Sequence, residues 1–227
     1  MTGILYLIPT PIGNREDITL RALRLLKEVD VIVCEEFKEG RALMKTIGIE
    51  KPLENLNEHN IAESSKRIVG HLVQGKSVAL ISDCGTPVFS DPGTELIQEV
   101  VRRNMRVVPL PGASSLLPAL IGSGFPIDSF VFVGWLSPKK ELRRKQLGAI
   151  KNEPRTAVIM DTPYRLSTLM SDMVSVLGRS REVSVAFDLT MPTEQFLRGP
   201  VGIVSADISV KKMKGEFVVV IRGVKKH

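Results

Sequence analysis

The sequence predicts two α/β domains with parallel or mixed sheets. Short apolar runs alternate with amphipathic segments along the chain, a pattern typical of sheets covered by helices. The alternation is interrupted between residues 118 and 129 by Gly122, Gly124, Pro126 and Asp128. We therefore expect an N-terminal domain over residues 1–118 and a C-terminal domain over residues 119–227.

Eight apolar runs indicate strands, and five amphipathic segments indicate helices. The expected strands are Ile4–Ile8, Val31–Cys34, Val78–Ile81, Val107–Leu110, Phe130–Gly134, Ala157–Met160, Val183–Phe187 and Phe217–Ile221. The expected helices are Leu20–Leu26, Ser64–Val73, Thr94–Val101, Leu142–Ile150 and Leu166–Leu177. Asp17 or Thr19 is suited to cap the first helix, and Gly178 to end the last.

Composition narrows the class of protein. Hydrophobic residues make up 43% and charged residues 25% of the chain, as in ordinary globular proteins. Two cysteines are too few for a disulfide framework, which favours a reducing compartment. The N-terminus lacks a signal-peptide pattern, and no apolar run approaches the ~20 residues of a membrane span. We expect a cytoplasmic protein without a membrane partner.

The net charge of +6 is concentrated in the second half. Residues 119–227 carry 17 Lys and Arg against 10 Asp and Glu, a net charge of +7. Residues 1–118 carry 14 against 15, a net charge of −1. This asymmetry is consistent with RNA contacting the second half, or simply with a basic solvated surface.

Three loops rich in Pro and Gly follow predicted strands. They are 9–14, 82–93 and 109–115. Ligands of open α/β sheets bind beyond the carboxyl ends of the strands, so we expect these loops to form one site. Asp83 could accept hydrogen bonds from a ribose or an amine, and Gly85 allows close approach of the backbone to a ligand. Taken alone, Asp91 is better suited to cap the helix beginning at Thr94, and Ser114 or Ser115 to cap the next one.

The motifs resemble those of the tetrapyrrole-methylase superfamily, in particular its methyltransferases of small-subunit ribosomal RNA. The resemblance rests on Leu5–Asn14 with Asp17–Leu23, on Ile81–Pro87 with Ser90–Gly93, on Pro109–Gly112 and on Gly215–Val218, in that order. It implies two α/β domains with S-adenosylmethionine (SAM) in an inter-domain cleft. It also implies a homodimer that methylates a ribose 2′-hydroxyl of small-subunit ribosomal RNA.

The same resemblance assigns the residues that would contact SAM. In the first domain these are Pro9, Pro11, Ile12, Asp83, Gly85, Thr86, Ser114 and Ser115. In the second they are Met160 or Thr162, together with Ala186, Leu189 and Glu216. No metal is implied, and His59, His71 and His227 have no ligand spacing with each other or with the cysteines.

Three motifs depart from the family pattern. Glu35-Glu36-Phe37-Lys38, Asp161-Thr162-Pro163-Tyr164-Arg165 and Phe187-Asp188-Leu189-Thr190-Met191 replace Glu-Asp-Thr-Arg, Glu-Ser-Pro-His-Arg and Arg-Glu-Leu-Thr-Lys. The sequence also ends soon after Ile221-Arg222-Gly223, without the small C-terminal domain of the full-length enzymes. These differences indicate a divergent member of the family. The sequence predicts SAM as its methyl donor and does not identify the methyl acceptor.

A hydroxyl acceptor needs a group that takes its proton. Glu35, Glu36, Glu58 and His59 are the candidates on loops of the first domain, and we favour Glu36 and Glu58 as catalytic residues. Loop carboxylates are also commonly solvated for no catalytic reason.

Two features of the second domain fit an RNA partner. The basic run Lys139–Lys145 could contact phosphates or form a solvated helix face. Trp135 could stack on a base or pack against the other domain.

Three functions are consistent with these patterns. The first is a SAM-dependent RNA methyltransferase. The second is a methyltransferase of a tetrapyrrole or another small molecule, and the third is a non-catalytic relative that binds SAM or RNA.

Overall fold

A computed structural model describes residues 2–224, so His227 lies outside the described residues. The chain divides into two compact units, Met1–Ser114 and Ser115–His227. The boundary expected from the sequence, at 118/119, falls within a helix that begins the second unit. None of the helices in the described part of the chain is long and apolar enough to span a membrane.

The first unit is a five-stranded, entirely parallel sheet. Its strands are β1 (Ile4–Ile8), β2 (Val31–Cys34), β3 (Leu53–Asn55), β4 (Val78–Ile81) and β5 (Arg106–Pro109), in the spatial order β3-β2-β4-β1-β5. The helices are α1 (Leu20–Glu28), α2 (Phe37–Thr46), α3 (Ile61–Val73) and α4 (Thr94–Arg102). Thr19 caps α1, its hydroxyl accepting a hydrogen bond from the N–H of Ala22 at 3.1 Å.

The two faces of this sheet carry different helices. Side chains alternate along each strand, so that Ile8 and Ile81 pack with α1 and α2, whereas Leu5 and Leu80 pack with α3 and α4. The connection from β1 runs through α1 to β2, while that from β4 runs through α4 to β5 on the opposite face. Adjacent strands β1 and β4 therefore form the topological switch point, where open α/β sheets bind ligands.

The second unit has a mixed sheet in the order β6-β7-β10-β8-β9. The strands are β6 (Phe130–Trp135), β7 (Thr156–Asp161), β8 (Glu182–Phe187), β9 (Gln195–Pro200) and β10 (Phe217–Ile221). The helices are α5 (Leu116–Ser123), α6 (Lys140–Ala149), α7 (Leu166–Leu177) and α8 (Val201–Val210). Strands β6 and β7 are parallel, and β10 is antiparallel to both β7 and β8.

The strand directions bring several chain segments to one edge of the second sheet. Phe217 at the start of β10 pairs with Asp161 at the end of β7 and with Phe187 at the end of β8. Trp135 at the end of β6 pairs with Met160. The segments that follow β6, β7 and β8 therefore begin at the edge where β10 starts.

The predicted fold class is confirmed, and each predicted strand is present with its ends within one residue. Local pattern did not reveal the short edge strand β3, or β9, which ends in Gly199-Pro200. The helices α2 and α8 were also missed, and α5 was expected after Ser115 without defined bounds. Gly40 in α2, Pro118 in the first turn of α5 and the nearly unbroken apolar sequence of α8 obscure the helical pattern.

The basic run contains a buried ion pair that its sequence did not predict. Arg143 and Asp172 are each only 3% exposed, and the guanidinium Nη2 lies 2.7 Å from Asp172 Oδ2. Arg144 also donates to Asp172, from Nε to Oδ1 at 2.9 Å. Neither alternative for the basic run fits Arg143, because this side chain is buried and joins α6 to α7 inside the domain.

We expect Asp172→Ala to lower the free energy of unfolding by about 3–5 kcal/mol, because it leaves the Arg143 guanidinium buried without its counterion. Arg24→Ala is the matched control, since it removes an exposed pair with Glu28 and should cost less than about 1 kcal/mol. Urea unfolding measures both. Equal effects of the two substitutions would contradict a structural role for the buried pair.

Candidate functional site

The loops after β1 and β4 are joined at the topological switch point. Thr10 and Gly85 exchange two backbone hydrogen bonds, from the N–H of Thr10 at 2.8 Å and from the N–H of Gly85 at 3.1 Å. The buried hydroxyl of Thr10 also donates to the carbonyl of Ser82 at 3.0 Å. The two loops therefore form one fixed structure beyond the sheet.

Two close approaches require glycine in these loops. Gly85 has a φ of +85°, and a Cβ there would lie 3.2 Å from Ile12 Cγ2. A Cβ on Gly112 would lie 2.6 Å from Pro9 Cβ. The hydroxyl of Thr86 donates to the carbonyl of Ala113 at 3.0 Å, which ties in the loop after β5. The three loops expected to converge do so in the first unit.

A cleft of about 250 Å³ opens beside these loops. Its lining includes Pro11, Ile12 and Asp83 from the predicted site, together with one side of α2. A wider cleft, about 690 Å³, lies between Arg41 and Leu53 and contains none of the predicted site residues. We take the smaller cleft as part of the candidate site because it adjoins the strand ends.

Carboxylates crowd the same edge of the first sheet. Asp83 Oδ1 accepts a hydrogen bond from the N–H of Glu36 at 3.1 Å, which links the ends of β4 and β2. Burial, followed by the charges of Asp91 and Asp83, raises the pKa of Glu35 to about 7. Burial also raises the pKa of Asp83, although the Glu36 N–H opposes that shift. Glu35 is thus a carboxyl group poised to exchange a proton near neutral pH.

Asp91 has a different role from the one expected. The residue that precedes α4 is Gly93, with no side-chain cap, and Asp91 Oδ2 instead accepts from the hydroxyl of Ser82 at 2.7 Å. The helix-cap prediction for Asp91 was wrong because this nonlocal partner holds the carboxylate. Burial raises the pKa of Asp91, and its charge acts on Glu35.

The favoured catalytic candidates are more exposed than Glu35. Glu36 precedes α2, and Glu58 with His59 follows β3; all three side chains are exposed. They lie on loops after strands of the same parallel sheet, as expected from their positions in the sequence.

The second unit brings its own predicted residues to one sheet edge. Met160 pairs with Val218, which pairs with Ala186. Thr162 follows β7, Leu189 follows β8, and Glu216 directly precedes β10. Met160, Ala186 and Leu189 are buried. The edge therefore offers an apolar floor beside the polar Thr162 and Glu216.

A tight turn shapes the part of this edge around Glu216. The N–H of Asp188 donates to the carbonyl of Glu216 at 2.9 Å, and Asp188 Oδ2 accepts from the hydroxyl of Thr193 at 3.0 Å. Gly215 has a φ of +146°, and a side chain there would collide with the Asp188 carboxylate. Desolvation and the charge of Asp188 raise the pKa of Glu216.

Asp161 is a buried acidic residue that sequence reasoning missed. Its Oδ1 accepts from Arg165 Nε and from the N–H of Thr162, both at 2.6 Å. Its Oδ2 is buried with no hydrogen-bond partner. The spacing of four residues between Asp161 and Arg165 was the available signal for this pair.

The remaining predicted residues lie at the junction between the units. Ser114 ends the first unit, and Ser115 begins the second as the residue before α5. The Ser115 side chain makes no capping hydrogen bond to that helix. Within residues 2–224, no cluster of three or more His, Cys, Asp or Glu side chains is arranged to hold a metal ion.

Comparison with known proteins assigns residues 4–204 to the family model of tetrapyrrole (corrin/porphyrin) methylases. Among curated relatives, ribosomal RNA small subunit methyltransferase I of Bacillus subtilis is 41% identical over 97% of this chain and 75% of its own length. The enzyme of that name from Thermotoga maritima is 41% identical over 97% of this chain and 99% of its own length.

Solved structures share the fold at low sequence identity. A cobalt-precorrin-4 methyltransferase superposes with a TM-score of 0.70 at 16% identity, covering 96% of this chain and 94% of its own. A diphthine synthase superposes with a TM-score of 0.72 at 14% identity, covering 99% and 92%. A uroporphyrin-III C-methyltransferase from Thermus thermophilus, complexed with S-adenosylhomocysteine, reaches 0.64 at 21% identity, covering 97% of each chain.

Glu35→Gln should raise the melting temperature at pH 8 and leave it nearly unchanged at pH 4. The folded chain holds the Glu35 proton more tightly, with a pKa of about 7 against an ordinary value of 4.5. The free energy of unfolding therefore falls as pH rises from about 4.5 to 7, and the amide avoids this loss.

Glu50→Gln is the control, since it removes an exposed carboxylate from another loop of the first unit. Thermal unfolding at both pH values measures the difference between the variants. A pH-independent effect of Glu35→Gln would contradict the shifted titration.

Proposed function

The chain belongs to the tetrapyrrole methylase family, and we propose that it is a SAM-dependent methyltransferase of small-subunit ribosomal RNA. Family membership makes it a methyltransferase, and relatives of about 40% identity over nearly its whole length carry the ribosomal RNA name. The observation that carries the proposal from fold to chemistry is the half-buried carboxyl of Glu35 after β2, whose pKa burial and the charges of Asp91 and Asp83 raise to about 7.

The residues that the sequence predicts to contact SAM, the methyl donor, fit that role by chemistry and position. Asp83 already orders the β2 and β4 loops through the Glu36 N–H, and its second oxygen can accept from a ribose hydroxyl or an amine. Gly85 lets backbone approach the ligand closely. We propose that these residues contact the donor with Pro9, Pro11, Ile12, Thr86, Ser114 and Ser115 from the same resemblance.

From the same resemblance we propose SAM contacts for residues at the sheet edge of the second unit. Met160, Ala186 and Leu189 offer apolar contact, and Thr162 and Glu216 offer polar atoms. When bound, SAM would supply the methyl group of its sulfonium, which the acceptor oxygen would take in line as the carbon–sulfur bond breaks and the thioether leaves. Because sulfonium charge disperses during such a transfer, the protein contributes mainly by aligning the reacting atoms.

Glu35 is the residue we propose as general base. A ribose hydroxyl becomes a stronger nucleophile when its proton passes to a nearby acceptor as the new O–C bond forms. A base works best when its pKa lies near the working pH, and that of Glu35 is about 7. Glu36 and Glu58, which the sequence favours as catalytic proton acceptors, stay predictions.

The proposal extends to a cytoplasmic protein, as composition predicts, and to a homodimer, as the resemblance implies. Leu117 and Ile121 on α5 are more than half exposed, and a second copy of the chain could bury such apolar surface. Sedimentation at micromolar concentration measures the assembly.

Transfer of a tritiated methyl group tests the function directly. The wild-type chain should label small-subunit ribosomal RNA, and Glu35→Gln should lower the rate by ~10²–10⁴-fold without loss of SAM binding. Total RNA and a tetrapyrrole pool serve as alternative acceptors. Labelling of the tetrapyrrole pool alone would overturn the RNA assignment, and SAM binding with no acceptor labelled would overturn the enzyme assignment.

Asp83→Ala should weaken SAM binding at least tenfold, or ~1.4 kcal/mol. The change removes the carboxylate proposed to accept a hydrogen bond from SAM. It also removes the hydrogen bond that this carboxylate accepts from the Glu36 N–H. Asp83→Asn keeps the shape and one acceptor oxygen, so it should lose less affinity. Calorimetry measures both variants, and unchanged affinity in Asp83→Ala would show that the donor binds elsewhere.

A further inference from the structure

Two aromatic side chains are exposed at the edge of the second sheet. Tyr164 is 96% exposed in the short 3-10 helix after β7, and Trp135 is 46% exposed at the end of β6. Tyr and Trp combine a large apolar ring with a polar atom, and they are enriched at binding surfaces for that reason. Neither residue has a role in the donor site proposed above.

Hydrogen bonds hold the two aromatic segments side by side. Arg165, which follows Tyr164, donates from Nη2 to the carbonyl of Leu136 at 3.1 Å, and Leu136 follows Trp135. The same guanidinium is anchored by Asp161 at 2.6 Å. One arginine thus fixes the chain next to both aromatic residues.

A β-bulge places Trp135 at this edge. The register between β6 and β7 shifts between Phe132 and Gly134, so that Trp135 pairs with Met160. Gly134 has a φ of +76°, which suits glycine. Bulges commonly re-aim side chains next to functional sites.

Two exposed lysines follow Trp135 on a braced loop. Arg143 donates to the carbonyls of Ser137 at 3.3 Å and Pro138 at 3.0 Å, and Lys139 and Lys140 come next in the chain. Both lysine side chains are exposed. The positive charge beside the aromatic pair suits a polyanion, in keeping with the net charge of +7 in residues 119–227.

We propose that Trp135, Tyr164, Lys139 and Lys140 form an RNA-binding surface, which takes unpaired bases on the aromatic rings and phosphates on the lysines. Stacking of unpaired bases on aromatic side chains is the usual way proteins hold single-stranded RNA. The inference rests on the proposed function and names the part of the chain that holds the acceptor RNA near Met160 and Thr162.

The aromatic half of the proposed surface consists of Trp135 and Tyr164. It is tested by the affinity of the full chain for small-subunit ribosomal RNA, measured by fluorescence anisotropy. Tyr164→Ala and Trp135→Ala should each weaken binding by about fivefold or more and leave its salt dependence unchanged. Phe130→Ala is the matched control, since Phe130 is 37% exposed at the opposite end of β6. Equal affinity of Tyr164→Ala and wild type would overturn the aromatic half, because so exposed a side chain carries no packing role.

The lysine half is tested by the slope of log affinity against log salt concentration. The double variant Lys139→Ala/Lys140→Ala should flatten the slope by about 0.7 for each single-strand phosphate that the lysines neutralise in the wild type. Lys66→Ala, on the exposed side of α3 in the first unit, should leave it unchanged. An unaltered slope in the double variant would overturn the lysine half.

SAM affinity of every variant separates this inference from the proposed function. We expect it to stay at the wild-type value, because none of the four residues is placed in the donor site. If the wild type methylates RNA and all three variants keep full RNA affinity, the surface is overturned and the function stands. A wild-type chain that binds and methylates no RNA would overturn both.

Discussion

The candidate site depends on the two hydrogen bonds that Thr10 and Gly85 exchange. They form an antiparallel bridge between the loops that follow the parallel strands β1 and β4, where the chain departs towards opposite faces of the sheet. Loops after strands are otherwise the most mobile parts of an α/β fold. Here the pairing fixes Ile12 on one side and Asp83 on the other, so a ligand at the proposed site would meet a surface that is already ordered.

The first unit concentrates carboxylates where they repel one another. Glu35 and Asp91 both have raised pKa values, and burial is the first cause in each case. Hydrogen bonds from the Ser82 hydroxyl to Asp91 and from the Glu36 N–H to Asp83 offset part of the cost. Glu35 is left with the strongly raised pKa. That pKa suits a group that accepts a proton during the reaction. It also lowers the free energy of unfolding above neutral pH.

The sequence predicted the elements that local pattern encodes. Buried strands such as Val78–Ile81 are apolar runs bounded by turn residues, and the family resemblance drawn from their loops is confirmed by the family match. The burial of Arg143 depends on Asp172, 29 residues later, and the position of Asp91 depends on Ser82, nine residues earlier. The sequence of a charge run does not show whether one of its residues has a buried partner. Nor does the sequence before a helix show whether a candidate cap is held by a distant side chain. The candidate site was thus predictable as a set of loops, whereas the choice of Glu35 over Glu36 required burial and neighbouring charge.

The Arg143 guanidinium that braces residues 137 and 138 also affects the thermodynamics of binding. Those residues become ordered when the domain folds, because their carbonyls are held by a side chain that is itself paired inside the protein. A flexible loop must lose conformational entropy when it meets a partner, and that loss weakens the complex. A loop braced beforehand avoids the loss, so a buried ion pair on one side of α6 can contribute to affinity on the other without touching the bound molecule.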